Sequence, residues 1–304
     1  MTVDTTERDR DRAVGRLTTR ATAWIARSVS VVNLSVLALS LFLILTGWFT
    51  ASTTEGVAWW EQALGVFGLV GAPILGGLIA SRRPSNPYGW LWLGYGMGFA
   101  LSSLADAYVA YTETVDSAPV PVSWPIHLLS PLGWGVSATL VPFILLLFPD
   151  GRLPSPRWRF LAWAYVVAIA VILVLVPFRT DIAQNPCGIL GPLGEIIVVV
   201  TSAGAYFVFA AIVVSALSLV LRYRHAAGVQ RQQLKWLAYA ATLVGVWIVG
   251  DVLFPFGFAL LNIFGTVAFS GLYVAVGIAI LRYRLYEIDI LINRTLVYGA
   301  LTAV

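Results

Sequence analysis

VSVVNLSVLALSLFLILTGWF, residues 29–49, is the stretch that decides the class of this protein. It carries no charge, and a helix needs about 20 predominantly apolar residues to cross a ~30 Å hydrocarbon core. Signal-peptide cores are shorter, about 7–15 residues, and end at a small-residue cleavage site, which does not stand out here. The run therefore reads as a first transmembrane helix. Residues 1–28 ahead of it are polar and rich in Arg and Thr, with acids at Asp4, Glu7, Asp9 and Asp11. They read as a mobile cytoplasmic tail with a short interfacial helix around Ala21–Arg27.

The same apolar character extends along the chain. Of 304 residues, 59% are hydrophobic and 11% charged, where soluble domains carry about 25% charged residues. The expected fold is all-α, a polytopic membrane helix bundle with eight full transmembrane helices. They fall near 29–49, 63–81, 88–108, 130–148, 160–178, 194–221, 236–251 and 257–281, making a membrane domain over 29–281. The sixth is long enough to tilt; the seventh is short, with Pro255 in the turn after it. A charged segment, 282–294, follows, and residues 295–304 read as the start of a ninth membrane helix. On that reading the chain is the front part of something longer.

Charge gives the orientation. With the N-terminus inside, Arg179 alone of the 19 Lys and Arg residues falls on the outer side. The others cluster before residue 28, at 82–83, 152–159, 222–235 and 282–294. Positive residues gather on the cytoplasmic side, so the protein reads as multi-pass with a cytoplasmic N-terminus. The same rule accounts for the net charge of +4 without nucleic acid as a partner. One Lys among so many Arg, with abundant Ala, Val and Gly, suggests a GC-rich bacterial genome and hence a bacterial plasma membrane.

Local signals fix several joints. Arg82-Arg83-Pro84-Ser85-Asn86-Pro87 reads as a tight, Pro-locked turn. Gly68, Gly71, Gly76 and Gly77 before it, and Gly94, Gly96 and Gly98 after it, let two helix backbones approach closely. Asn33, Asn262, Ser102 and Ser103 are placed to hydrogen-bond between helices. The repeat of Leu-Arg-Tyr-Arg at 221–224 and 281–284 fits either a duplicated helix pair or two similar stop-transfer ends.

Catalytic chemistry is hard to find. Cys187 is the single cysteine, which rules out an intrachain disulfide and any multi-Cys metal site. His127 and His225 fall on opposite sides of the membrane in this topology and share no metal or proton relay. No His-Glu-x-x-His, Gly-x-Ser-x-Gly or phosphate-loop pattern occurs, and no cofactor is expected. The polar residues of interest lie toward the outer side: Asp106, Tyr108, His127, Glu195 and Asp251. They line an outward-facing ligand pocket if the third, fourth, sixth and seventh spans pack together; the alternative is a set of separate hydrated helix ends. On the inner side Leu281, Leu285, Ile288, Ile292 and Leu296 share one helical face, with Arg282, Arg284, Glu287 and Arg294 mostly off it. That pattern predicts an amphipathic output connector, or a passive one resting on lipid.

Five segments occur in a telling order: Pro84-Ser85-Asn86-Pro87-Tyr88-Gly89-Trp90-Leu91; Leu147-Phe148-Pro149-Asp150-Gly151-Arg152-Leu153-Pro154; Gly228-Val229-Gln230-Arg231-Gln232-Gln233-Leu234-Lys235-Trp236; Leu281-Arg282-Tyr283-Arg284-Leu285-Tyr286-Glu287-Ile288-Asp289; and Ile292-Asn293-Arg294-Thr295-Leu296-Val297-Tyr298-Gly299. Together they resemble the multi-spanning N-terminal membrane region of actinobacterial sensor-histidine-kinase-like proteins, over roughly residues 30–304. The resemblance implies a sensory input region whose partners are the lipid bilayer, a downstream cytoplasmic signalling domain and, as an option, a second copy of the chain. It carries no kinase activity onto these residues, because the family's phosphoacceptor and ATP-binding motifs are missing from this chain. A transporter or permease for an apolar or lipid substrate is the competing expectation.

Overall fold

In the computed structural model, the described residues are 3–50, 59–114, 124–148, 153, 158–179, 188–225, 228–253, 261 and 263–279. Apart from short turns they are helical. We label the helices α1 (Val3–Thr50), α2 (Trp59–Leu69), α3 (Gly71–Arg82), α4 (Pro87–Thr114), α5 (Trp124–Leu146), α6 (Trp158–Leu175), α7 (Pro192–His225), α8 (Gly228–Leu253) and α9 (Ile263–Ala279). The chain divides into two units, Met1–Ile212 and Val213–Val304.

Among the described residues, five helical segments are long and apolar enough to cross a membrane: Arg20–Gly47, Gln62–Arg82, Pro125–Leu146, Trp158–Phe178 and Pro192–Arg224. This is a polytopic helical membrane protein, but the expectation of eight full spans and a ninth is corrected. The expected third span, near 88–108, is the continuous helix α4, whose Gly, Ser, Tyr and Asp106 leave it short of the apolar character of a lipid-facing span. The expected seventh and eighth spans contain only shorter apolar helices, Leu234–Trp247 and Ile263–Ala279. In α8 the first turns, GVQRQQLK, are polar, so only the later part is apolar. The ninth run and the connector fall outside the described residues. At the other end, α1 is helical from Val3, so residues 21–27 belong to a continuous helix rather than to a short separate one.

The joints of the first unit follow from local chemistry. Pro73 lacks the N–H that would bond the Leu69 carbonyl, and its ring crowds that oxygen; α2 and α3 are separated at Val70. The predicted turn forms at 83–86, with the Asn86 N–H donating to the Arg83 carbonyl at 3.0 Å. Asn86 then caps α4 by accepting the Tyr88 N–H at 3.0 Å, with Pro87 at the first helical position. Trp90 Nε1 donates to the Pro84 carbonyl at 3.1 Å and fastens the turn.

Helix α4 is the centre of this unit, packed against α1, α3 and α5. Helices α3 and α5 run antiparallel to it, whereas α1 runs parallel, with Asn33 at Leu93 and with Leu37 and Ile44 in one cluster with Ala100 and Ala107. Gly89 lies against Ala80, Gly76 against Leu93 and Gly96 against Pro73, so α3 descends as α4 rises. Gly98 meets Gly133 and Ser102 meets Ser130, which sets α5 the same way. A Cβ at Gly98 would lie 2.6 Å from the Gly133 carbonyl oxygen, so the two backbones touch there and only glycine fits. On another face of α4, Tyr88, Trp92, Tyr95 and Phe99 follow helical spacing and stack edge-on, with centroids 6.4, 5.6 and 5.0 Å apart.

Polar side chains knit the seams. Ser30 Oγ donates to the Pro73 carbonyl at 2.8 Å, and Asn33 Nδ2 to the Leu93 carbonyl at 3.1 Å. Ser137 Oγ donates to the Tyr95 carbonyl at 2.8 Å. Beyond α5, α6 is joined by ring contacts of Tyr165 with Phe143 and Phe207. In the second unit α8 and α9 are antiparallel: Trp247 meets Phe269 at 5.4 Å, and Gly250 lies against Leu261. Arg231 covers the Tyr223 ring at the α7–α8 turn.

Candidate functional site

At the end of the α4–α5 pair away from the Pro84 turn, the two helices separate into a cleft of about 210 Å³. Its lining is Ala105, Asp106, Val109, Ala110, Ile126, His127 and Ser130. Residues 105, 106, 109 and 110 share one face of α4, and 126, 127 and 130 one face of α5. The cleft is there because the glycine contact stops at Gly98 and Gly133; beyond it serine, alanine and larger side chains hold the backbones apart.

A polar chain leads into it. Ser102 and Ser130 hydroxyls lie 3.3 Å apart across the seam. Ser130 is also the hydrogen-bond partner of the Asp106 carboxylate. With the carboxylate charged, Ser130 must donate to it and Ser102 to Ser130, since a carboxylate only accepts. Asp106 is exposed, and no cation pairs with it among the described residues. Arg179, the basic residue at this end, donates instead to Thr201 Oγ1 on α7 at 2.9 Å. His127 is half-buried, and its Nε2 is enclosed without a hydrogen-bond partner among the described residues. One turn further on, Pro131 deprives the His127 carbonyl of its helical N–H partner.

Of the residues expected at an outward pocket, Asp106 and His127 share this cleft. Tyr108 is half-buried on α4, outside the lining. Glu195 is exposed in the first turn of α7, also outside the lining. Asp251 lies on α8 in the other unit, and its side chain is outside the described set. The connector residues Arg282, Arg284, Leu285, Glu287, Ile288 and Ile292 are also outside it. Ser130 was missed by sequence reasoning. The signal that would find it is its place one turn after His127 and beside Pro131 in an otherwise apolar helix.

The chemistry available is one carboxylate, two hydroxyls and an imidazole against small aliphatic walls. Among the described residues no three His, Cys, Asp or Glu side chains come together to hold a metal ion. Among the described residues this is the arrangement of a small-ligand recognition site, a few polar groups set in an apolar wall. No family model, no curated protein and no solved structure matches the chain.

Proposed function

We propose that this chain is a membrane-embedded sensory input region, with the α4–α5 cleft as its ligand site and the cytoplasmic side as its output. The observation that carries this reading is that the cleft is blind. Below it the α4–α5 seam is shut by the Gly98–Gly133 contact and the Ser137–Tyr95 hydrogen bond. A permease needs a polar site near the midplane reached in turn from both sides. A sensor needs only a site at one end and a rigid element to carry the change. Helix α7 is such an element, continuous from Pro192 to His225.

The ordered segments that resemble sensor-histidine-kinase-like proteins support the same reading, as does the charge pattern. Arg27 and Arg82 neighbour Ala26 and Ala80, which pack together with Leu93 at the Pro84-turn end of the first unit. The cleft, with Asp106, opens at the other end. The positive-inside rule then puts the N-terminus and that turn in the cytoplasm and the cleft outside.

The test closes the cleft covalently. In a Cys187→Ser background, Ser102→Cys with Ser130→Cys is placed to form a disulfide, since the native hydroxyls are 3.3 Å apart. Oxidation is expected to change amide exchange in the 222–235 segment. Unchanged exchange, together with solute flux through the reduced protein in proteoliposomes, would favour the permease instead.

A further inference from the structure

We infer that the α4–α5 cleft takes a small primary ammonium compound with a compact aliphatic body. The inference rests on the reading of this cleft as a ligand site and adds the ligand's chemical class.

The argument is one of charge, polarity and size. The cleft presents the Asp106 carboxylate and the Ser130 oxygen as acceptors, beside a His127 imidazole whose Nε2 has no hydrogen-bond partner among the described residues. With Asp106 charged, the Ser130 hydrogen goes to the carboxylate and that of Ser102 to Ser130. A ligand that brings both hydrogens and positive charge answers the carboxylate, which has no cation of its own among the described residues. An ammonium group does both; charge-assisted bonds of this kind are about twice as strong as neutral ones. An anion would face Asp106 with nothing to offset it.

The walls select among cations. Ala105, Val109, Ala110 and Ile126 give the ligand an aliphatic surface. No Trp, Tyr or Phe stands among the described lining residues, so they form no aromatic cage of the kind that holds quaternary ammonium groups, and a primary ammonium with three N–H donors fits them better. Among the described residues a bare metal ion finds no group of three ligating side chains. Water occupies about 30 Å³ in the liquid, so about 210 Å³ accommodates a molecule the size of about seven waters. Isobutylammonium is of that scale.

The experiment uses the full chain in lipid nanodiscs, with ligand-detected NMR and thermal melting as readouts. The probes are isobutylammonium, isobutanol as its neutral counterpart, and tetramethylammonium. Isobutylammonium is expected to bind and raise the melting temperature, with the other two at least about tenfold weaker. Asp106→Asn is expected to weaken isobutylammonium by about tenfold or more and leave isobutanol unchanged. Ala110→Leu fills the cleft while keeping the carboxylate, and is expected to remove binding of every probe. If isobutanol binds as well as the amine, or Asp106→Asn binds the amine unchanged, the ammonium class is overturned and the cleft survives as a neutral site. If no probe binds the folded wild-type protein, or Ala110→Leu leaves binding intact, the cleft itself is overturned as the ligand site.

Discussion

Helices α4 and α6 are opposites. Helix α6 lies in the most apolar of the five spans, Trp158–Phe178, which is also the least buried of them. Phe160, Trp163, Val167 and Val174 all stand exposed on it, and Tyr165 is its one buried residue. Helix α4 is not apolar enough to stand among the spans, yet it holds the largest fully buried side chains among the described residues, Trp92, Tyr88 and Tyr95. In water that order would be reversed. In lipid there is little gain from hiding an aliphatic side chain, because the solvent is itself aliphatic. What a membrane core gains from burial is close backbone contact, ring packing and hydrogen bonds that would otherwise be unmade. Gly98, Asn33, Ser137 and the Tyr88–Phe99 ring column therefore belong inside, and Phe160 belongs outside.

Substitutions should separate the two helices. Trp92→Ala empties a fully buried ring site on α4 and is expected to cost about 3–5 kcal/mol, read from unfolding in detergent. Gly98→Val forces a side chain into the Gly133 carbonyl and is expected to cost about 1–3 kcal/mol, with α4 and α5 pushed apart. Asn33→Ala removes one interhelical hydrogen bond, and about 0.6 kcal/mol is the average for such bonds in membranes. Phe160→Ala on α6, where the ring is 82% exposed, is expected to change stability by less than about 0.5 kcal/mol. A Phe160→Ala cost that matched Trp92→Ala would erase the contrast.

Much of the packing was legible from residue types. The Pro84–Pro87 turn and the glycines flanking it indicated a close α3–α4 pair; Gly76 and Gly96 do lie in that seam, whereas Gly77 faces α1, and Gly94 and Gly98 face α5. The count of spans was not legible, because hydropathy measures what a helix is made of and not what covers it. Helix α4 is continuous over 28 residues, but its surroundings are other helices, so its composition could drift away from that of a lipid-facing span. In α8 the difficulty was the reverse: a long helix whose opening turns are too polar to count. Two residues of the cleft, Asp106 and His127, were visible as polar groups near helix ends. Their meeting, and the part played by Ser130, depended on the register of α4 against α5, which is set by Gly98 and Gly133, and no periodicity in either helix states it.

Photoactivatable lipids offer the most direct measurement of this inside-out arrangement. A diazirine carried on an acyl chain inserts into whatever side chain it touches, and mass spectrometry locates the adducts in the unmodified protein. The account predicts heavy labelling of Phe160, Trp163, Val167 and Val174 on α6, and none of Trp92 or Tyr95 on α4. Adducts on Trp92 and Tyr95 at the level seen on α6 would contradict it.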